Sequence, residues 1–73
     1  MEGPELNVHF HGAWLRAVPV LKGPTRYLRI EIKAEHGLLP ERALDKLADW
    51  RREVATPWFV MQQIRDNKCR NTD

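Results

Sequence analysis

Residues 13–33, AWLRAVPVLKGPTRYLRIEIK, decide the fold. In the second half of this stretch Leu28, Ile30 and Ile32 fall on one side of an extended chain. Tyr27, Arg29, Glu31 and Lys33 fall on the other, because successive side chains of a strand point to opposite faces. β-branched and aromatic residues favour the strand, and Gly23-Pro24 supplies a turn before it. The first half, 13–22, is equally rich in strand formers but carries Pro19. Proline cannot donate to a ladder, which predicts an edge position or a bulge. A turn centred on Gly23-Pro24 sets a register in which Ala17 meets Ile30 and Leu15 meets Ile32. On the opposite face Val20 then lies beside Tyr27, Val18 beside Arg29, Arg16 beside Glu31 and Trp14 beside Lys33. A one-residue slip exchanges the faces. The Arg16–Glu31 and Trp14–Lys33 pairs are each expected to contribute ~0.5–1 kcal/mol.

Toward the N-terminus, Leu6, Val8 and Phe10 alternate with Asn7, His9 and His11 until Gly12, the period of a half-buried strand. Residues 1–5 read as an extended lead-in. Toward the C-terminus the period changes after Gly37. Pro40 suits a first helical position and Glu41 a first turn, while Ala43, Leu44, Leu47, Ala48, Trp50, Val54 and Ala55 fill one arc of a helical wheel. Glu41, Asp45, Asp49 and Glu53 recur every fourth position among Arg42, Lys46 and Arg52, a solvated face with local ion pairs. Thr56-Pro57 reads as a fresh start, with threonine capping and proline first in a second helix. Arg65 and Lys68 favour that helix's negative end, and 68–73 is expected to fray. The expected fold is α+β: a three-stranded antiparallel sheet over 6–34, then two helices over 40–54 and 57–67 packed on one face. Residues 1–73 make a single small domain.

Composition narrows the classes. A chain of 73 residues with 42% hydrophobic and 30% charged side chains should fold. At that size folding buries only roughly 60% of the unfolded surface, so a homodimer is expected. A single cysteine, Cys69, excludes a disulfide framework and fits a reducing, cytoplasmic setting. No apolar run approaches the roughly 20 residues that span a bilayer, and the acidic start MEGPE is unlike a basic signal leader, so no membrane is expected. A net charge of +2 permits contact with phosphates without demanding it.

Little in the chain suggests catalysis. His9 and His11 share one side of a strand at a spacing that suits a metal, but a third ligand would have to be His36 or Cys69, which nothing in the sequence brings near. There is no serine, no glycine-rich phosphate loop and no paired carboxylate set in an apolar setting. Cys69 is a lone thiol between Lys68 and Arg70. No enzyme activity, cofactor or metal is expected. A binding domain remains, and its leading candidate surface is the outward sheet face: His9, His11, Trp14, Arg16, Tyr27, Arg29 and Lys33. Such a mixture stacks bases and neutralises phosphates, which makes nucleic acid, DNA in particular, the leading expected partner. Trp14 and Tyr27 are otherwise read as the cover of a second small core or a dimer seam. The alternative function is a protein-binding adaptor or inhibitor that grips a larger partner through exposed tryptophan and apolar helix surface. Trp58, half buried at the mouth of the second helix, is its anchor. Arg51, which interrupts the apolar arc between Leu47 and Val54, either snorkels outward or marks its contact face.

Two stretches resemble known families. Met1-Glu2-Gly3-Pro4-Glu5-Leu6 is similar to the opening of the formamidopyrimidine glycosylases with one residue missing. The missing residue is the N-terminal proline whose amine is that family's nucleophile, and Pro4 is an internal imide, so the activity does not carry over. Residues 27–67, in the order strand, helix, helix, resemble the ribbon-helix-helix repressors, dimers that insert a two-stranded ribbon into the DNA major groove. The matching ribbon residues are Tyr27, Arg29, Glu31 and Lys33. The chain departs from that pattern by about six extra residues between strand and helix and by a preceding hairpin.

Overall fold

The alternation of the first 34 residues produces three strands: β1 (Leu6–Phe10), β2 (Ala13–Lys22) and β3 (Thr25–Ala34). They were obtained in a computed structural model that describes residues 1–70, with side chains through Asp66. The sheet is antiparallel in the order β1-β2-β3. Its β2–β3 register is the one expected, with Leu15 opposite Ile32, Ala17 opposite Ile30, Val18 opposite Arg29 and Trp14 opposite Lys33. On the other side Leu6 faces Ala17 and Val8 faces Leu15. One face therefore carries Leu6, Val8, Phe10, Leu15, Ala17, Leu28, Ile30 and Ile32. Gly12 (φ 76°) and Gly23 (φ 60°) make the two hairpin turns in the left-handed region, where a side chain is disfavoured.

Pro19 sits in the central strand, not at an edge. Within an antiparallel strand the N–H and C=O of one residue point to the same neighbour and alternate along the chain. The Pro19 carbonyl accepts from the Gly3 amide at 2.9 Å. Leu21 donates to the Met1 carbonyl at 2.8 Å, and its own carbonyl accepts from the N-terminal ammonium at 2.8 Å. Odd-numbered β2 residues thus face β1 and the lead-in, so the donor missing at Pro19 leaves the β2–β3 ladder intact. The lead-in is itself paired, Glu2 opposite Val20. Residues 3–5 separate Glu2 from Leu6, whereas only 18 and 19 separate their partners, a one-residue bulge opposite the proline.

The expected pair of helices is one continuous helix. α1 (Glu41–Trp50) runs through a π-helical turn, Arg51–Ala55, into α2 (Thr56–Arg70). Pro40 stands just outside with extended geometry (ψ 148°). Thr56 is not a cap but helical, φ −62° and ψ −48°, and its amide bonds the Arg51 carbonyl five residues back. That widened turn lies immediately before Pro57, whose ring would otherwise press on the carbonyl four residues earlier. It also keeps the two halves on the sheet. Buried or half-buried positions run Ala43, Leu47, Trp50, Val54, Ala55, Trp58, Phe59 and Gln62. The buried pair Trp50 and Ala55 is five residues apart, about 1.4 residues more than a helical turn, or roughly 140° of rotation. Residues 68–70, expected to fray, continue α2. Residues 71–73 and the Cys69 side chain lie outside what is described.

Ala17, Trp50 and Ala55 form the core, with Leu6, Leu28, Leu47 and Val54 against it. Of the seven buried hydrophobics among the described residues three are alanines, so the core is thin. Among the described residues Trp50 Nε1 is buried without a hydrogen-bond partner, which costs about 1–3 kcal/mol. The helix covers β1, β2 and the Leu28 position of β3. Ile30 and Ile32, on the same face, keep 41% and 54% of their surface exposed. The accessible surface is 5785 Å², against about 4,700 Å² for a compact chain of this mass. The radius of gyration, 15.1 Å, likewise exceeds the roughly 11 Å of a compact chain. No helix among the described residues is long and apolar enough to cross a membrane.

Candidate interaction surfaces

The β2 register gathers His9, Trp14, Arg16, Tyr27, Arg29 and Lys33 on the face away from the helix, as expected. His11 is not among them, since it lies in the β1–β2 turn. Acids from the lead-in and β3 share this face. Arg29 is ion-paired to Glu2. Arg16 Nε donates to Glu5 Oε2 at 2.6 Å, and its guanidinium is 4.0 Å from Glu31. The hydrogen bond and charge of Glu5 hold the Arg16 guanidinium above its already high pKa, against a small opposing effect of burial. Glu2, Glu5 and Glu31 offset all but one of the charges of Arg16, Lys22, Arg29 and Lys33, Lys22 sharing the face by alternation with Val18 and Val20. Beneath the pairs Val18 and Val20 are buried, 3% and 6% exposed. Trp14 turns toward β1: its Nε1 donates to Asn7 Oδ1 at 2.9 Å, and its ring tilts against His9 with centroids 6.2 Å apart. This face is an ion-paired lid on a second small apolar layer.

Trp58 is half-buried. Its indole rests against Gly3, where an added Cβ would stand 2.6 Å from Cδ2 and Cε2 and 2.9 Å from Pro19 Cγ. Phe59 meets the indole edge-on, centroids 5.3 Å apart. Trp58 thus clamps the lead-in to the end of β2. Arg51 is exposed at the start of the π turn, in a shallow depression beside Ala48 and Thr56. Near the β2–β3 turn an open groove of about 670 Å³ separates Met1, Pro24 and Arg26 from Phe59 and Gln62. Among the described residues no three His, Cys, Asp or Glu side chains are gathered to hold a metal ion.

The surface that sequence reasoning overlooked is β3 itself. As even-numbered β2 residues bond to β3, Tyr27, Arg29, Glu31 and Lys33 turn their backbone groups inward to β2. Leu28, Ile30 and Ile32 turn theirs outward, along an edge that no described strand pairs. The unpaired backbone and the half-exposed isoleucine side chains thus belong to the same residues. Two helices would have covered all three strands. A single helix about 10 Å wide spans only two strands spaced about 4.8 Å apart, and leaves the third bare.

Comparison of the chain with known protein families, curated proteins and solved structures finds no match.

Proposed function

We propose that this chain is a non-enzymatic binding domain that engages protein through the β3 edge, in a reducing, cytoplasmic setting. One observation carries the reading. Ile30 and Ile32 stay 41% and 54% exposed while their cross-strand partners Ala17 and Leu15 are sealed at 0%. A strand laid along β3 pairs its backbone with Leu28, Ile30 and Ile32 and covers the isoleucines, the mode of strand addition. Edge strands are ordinarily blunted by charge or proline. Arg29, Glu31 and Lys33 point to the opposite face, and Arg26, next to the β2–β3 turn, is the β3 charge that shares this side with the isoleucines. The test is affinity capture with the wild-type chain and with Ile30→Lys/Ile32→Lys, after circular dichroism has established that both fold. A protein retained by the wild type and lost by the variant supports the reading. Equal capture by both, with no self-association of the wild type, removes it.

A second reading, nucleic-acid binding by the opposite face, is favoured by the grouping of Trp14, Tyr27, Arg29 and Lys33 there. It contends with the three acids on that face. Absence of any gel shift at micromolar protein and low salt ends it.

A further inference from the structure

Resting on the β3 reading, we propose that the strand added to β3 is β3 of a second copy, antiparallel, with Ile30 on the two-fold axis. The backbone restricts the registers. The outward-facing residues are even-numbered, so they must oppose even-numbered residues of the copy to exchange hydrogen bonds. A two-fold axis at Ile30 pairs Ile30 with its equivalent, Leu28 with Ile32, and Arg26 with Ala34. The apolar side chains then meet on the helix-facing side.

The same register places Arg29 opposite Glu31 of the copy, twice by symmetry, and Tyr27 opposite Lys33. An axis at Arg29 or at Glu31 sets like charges against each other, which disfavours pairing. An axis at Ile32 opposes Glu31 to Lys33, but it runs most of the pairing past Ala34, where β3 ends. Only the Ile30 axis combines opposed charges, matched apolar residues and nearly the full length of the strand.

Sedimentation of the full chain from about 1 to 500 μM tests this. The wild type should dimerise. Arg29→Glu alone and Glu31→Arg alone should each weaken the dimer roughly ten- to thirtyfold, because two attractive contacts become repulsive. An equimolar mixture of the two single variants should recover near wild-type association, since a chain with two carboxylates at these positions meets a chain with two guanidinium groups. Ile30→Lys, altering a side chain already exposed in the monomer, should abolish the dimer without unfolding the domain. This keeps the test decisive if Arg29→Glu, which also loses its pairing with Glu2, fails to fold. A wild type monomeric throughout, yet still capturing a protein through Ile30 and Ile32, overturns the second copy and leaves the β3 reading standing. A dimer indifferent to Ile30→Lys, or a mixture that does not recover, overturns this register.

Discussion

Gly3 and Trp58 are in such close contact that a methyl group on Gly3 would stand 2.6 Å from the fused bond of the indole. No real Cβ tolerates that distance, and the atoms it meets are the rigid middle of the ring. Gly3→Ala should therefore destabilise the domain by ~1–3 kcal/mol, through overpacking. In a Trp58→Ala background the same change should be nearly neutral, since the obstacle is gone. Urea unfolding of the four chains measures the coupling. Additive losses would show that the two residues do not meet.

The π turn yields a second prediction. Deleting Arg52 shortens the step from Trp50 to Ala55 to an α-helical one but brings Pro57 into a regular helix interior, a loss of about 3 kcal/mol. Combining the deletion with Pro57→Ala should recover that loss, because both the face register and the backbone bonding are then α-helical. Thermal unfolding followed at the helix signal checks it. A double variant as unstable as the deletion alone would mean the π turn is not there to accommodate the proline.

The sheet was legible because its signal is local. Alternation over Leu28–Ile32 and a Gly-Pro turn set every β2–β3 pair without reference to the rest of the chain. The helix was misread at Thr56-Pro57, where the residues carry a sound local signal for a helix start. A π turn obeys no side-chain pattern except a five-residue step between buried positions, Trp50 to Ala55, and that step shows only once the burial is known. The face residues Trp14, Arg16, Tyr27, Arg29 and Lys33 were likewise legible from register. Their neutralisation was not, because Glu2 and Glu5 reach the face through a bulge in a lead-in that has no strand periodicity. The bare β3 edge went unseen for the same reason as the single helix: how many strands are covered depends on how many helices there are.

Trp50 should show an asymmetry between two substitutions. Trp50→Ala empties a thin core and should lose about 3–5 kcal/mol. Trp50→Phe also removes volume, but it eliminates the partnerless Nε1 donor, so its loss should stay below ~2 kcal/mol. Denaturant midpoints compare them. Equal losses would mean that the donor is satisfied in solution.

Ion pairing on the face away from the helix predicts weak, shallow binding to duplex DNA by the wild type. Glu2→Gln with Glu5→Gln releases Arg29 and Arg16, and should tighten binding at low salt while steepening the salt dependence by roughly one unit for each further phosphate neutralised. Fluorescence anisotropy titrations at several salt concentrations measure both. A wild-type slope already as steep as that of the double variant would contradict the ion-paired lid.

The central claim, that β3 is an open edge waiting for a strand, is tested most directly by residue-resolved amide hydrogen exchange of the wild-type chain at low and high concentration. At low concentration the amides of Arg29, Glu31 and Lys33, bonded to β2, should be protected, while those of Leu28, Ile30 and Ile32 exchange freely. At high concentration Leu28, Ile30 and Ile32 should become protected together. Protection of these three amides in the dilute monomer, or their continued free exchange in a sample shown by sedimentation to be dimeric, would contradict it.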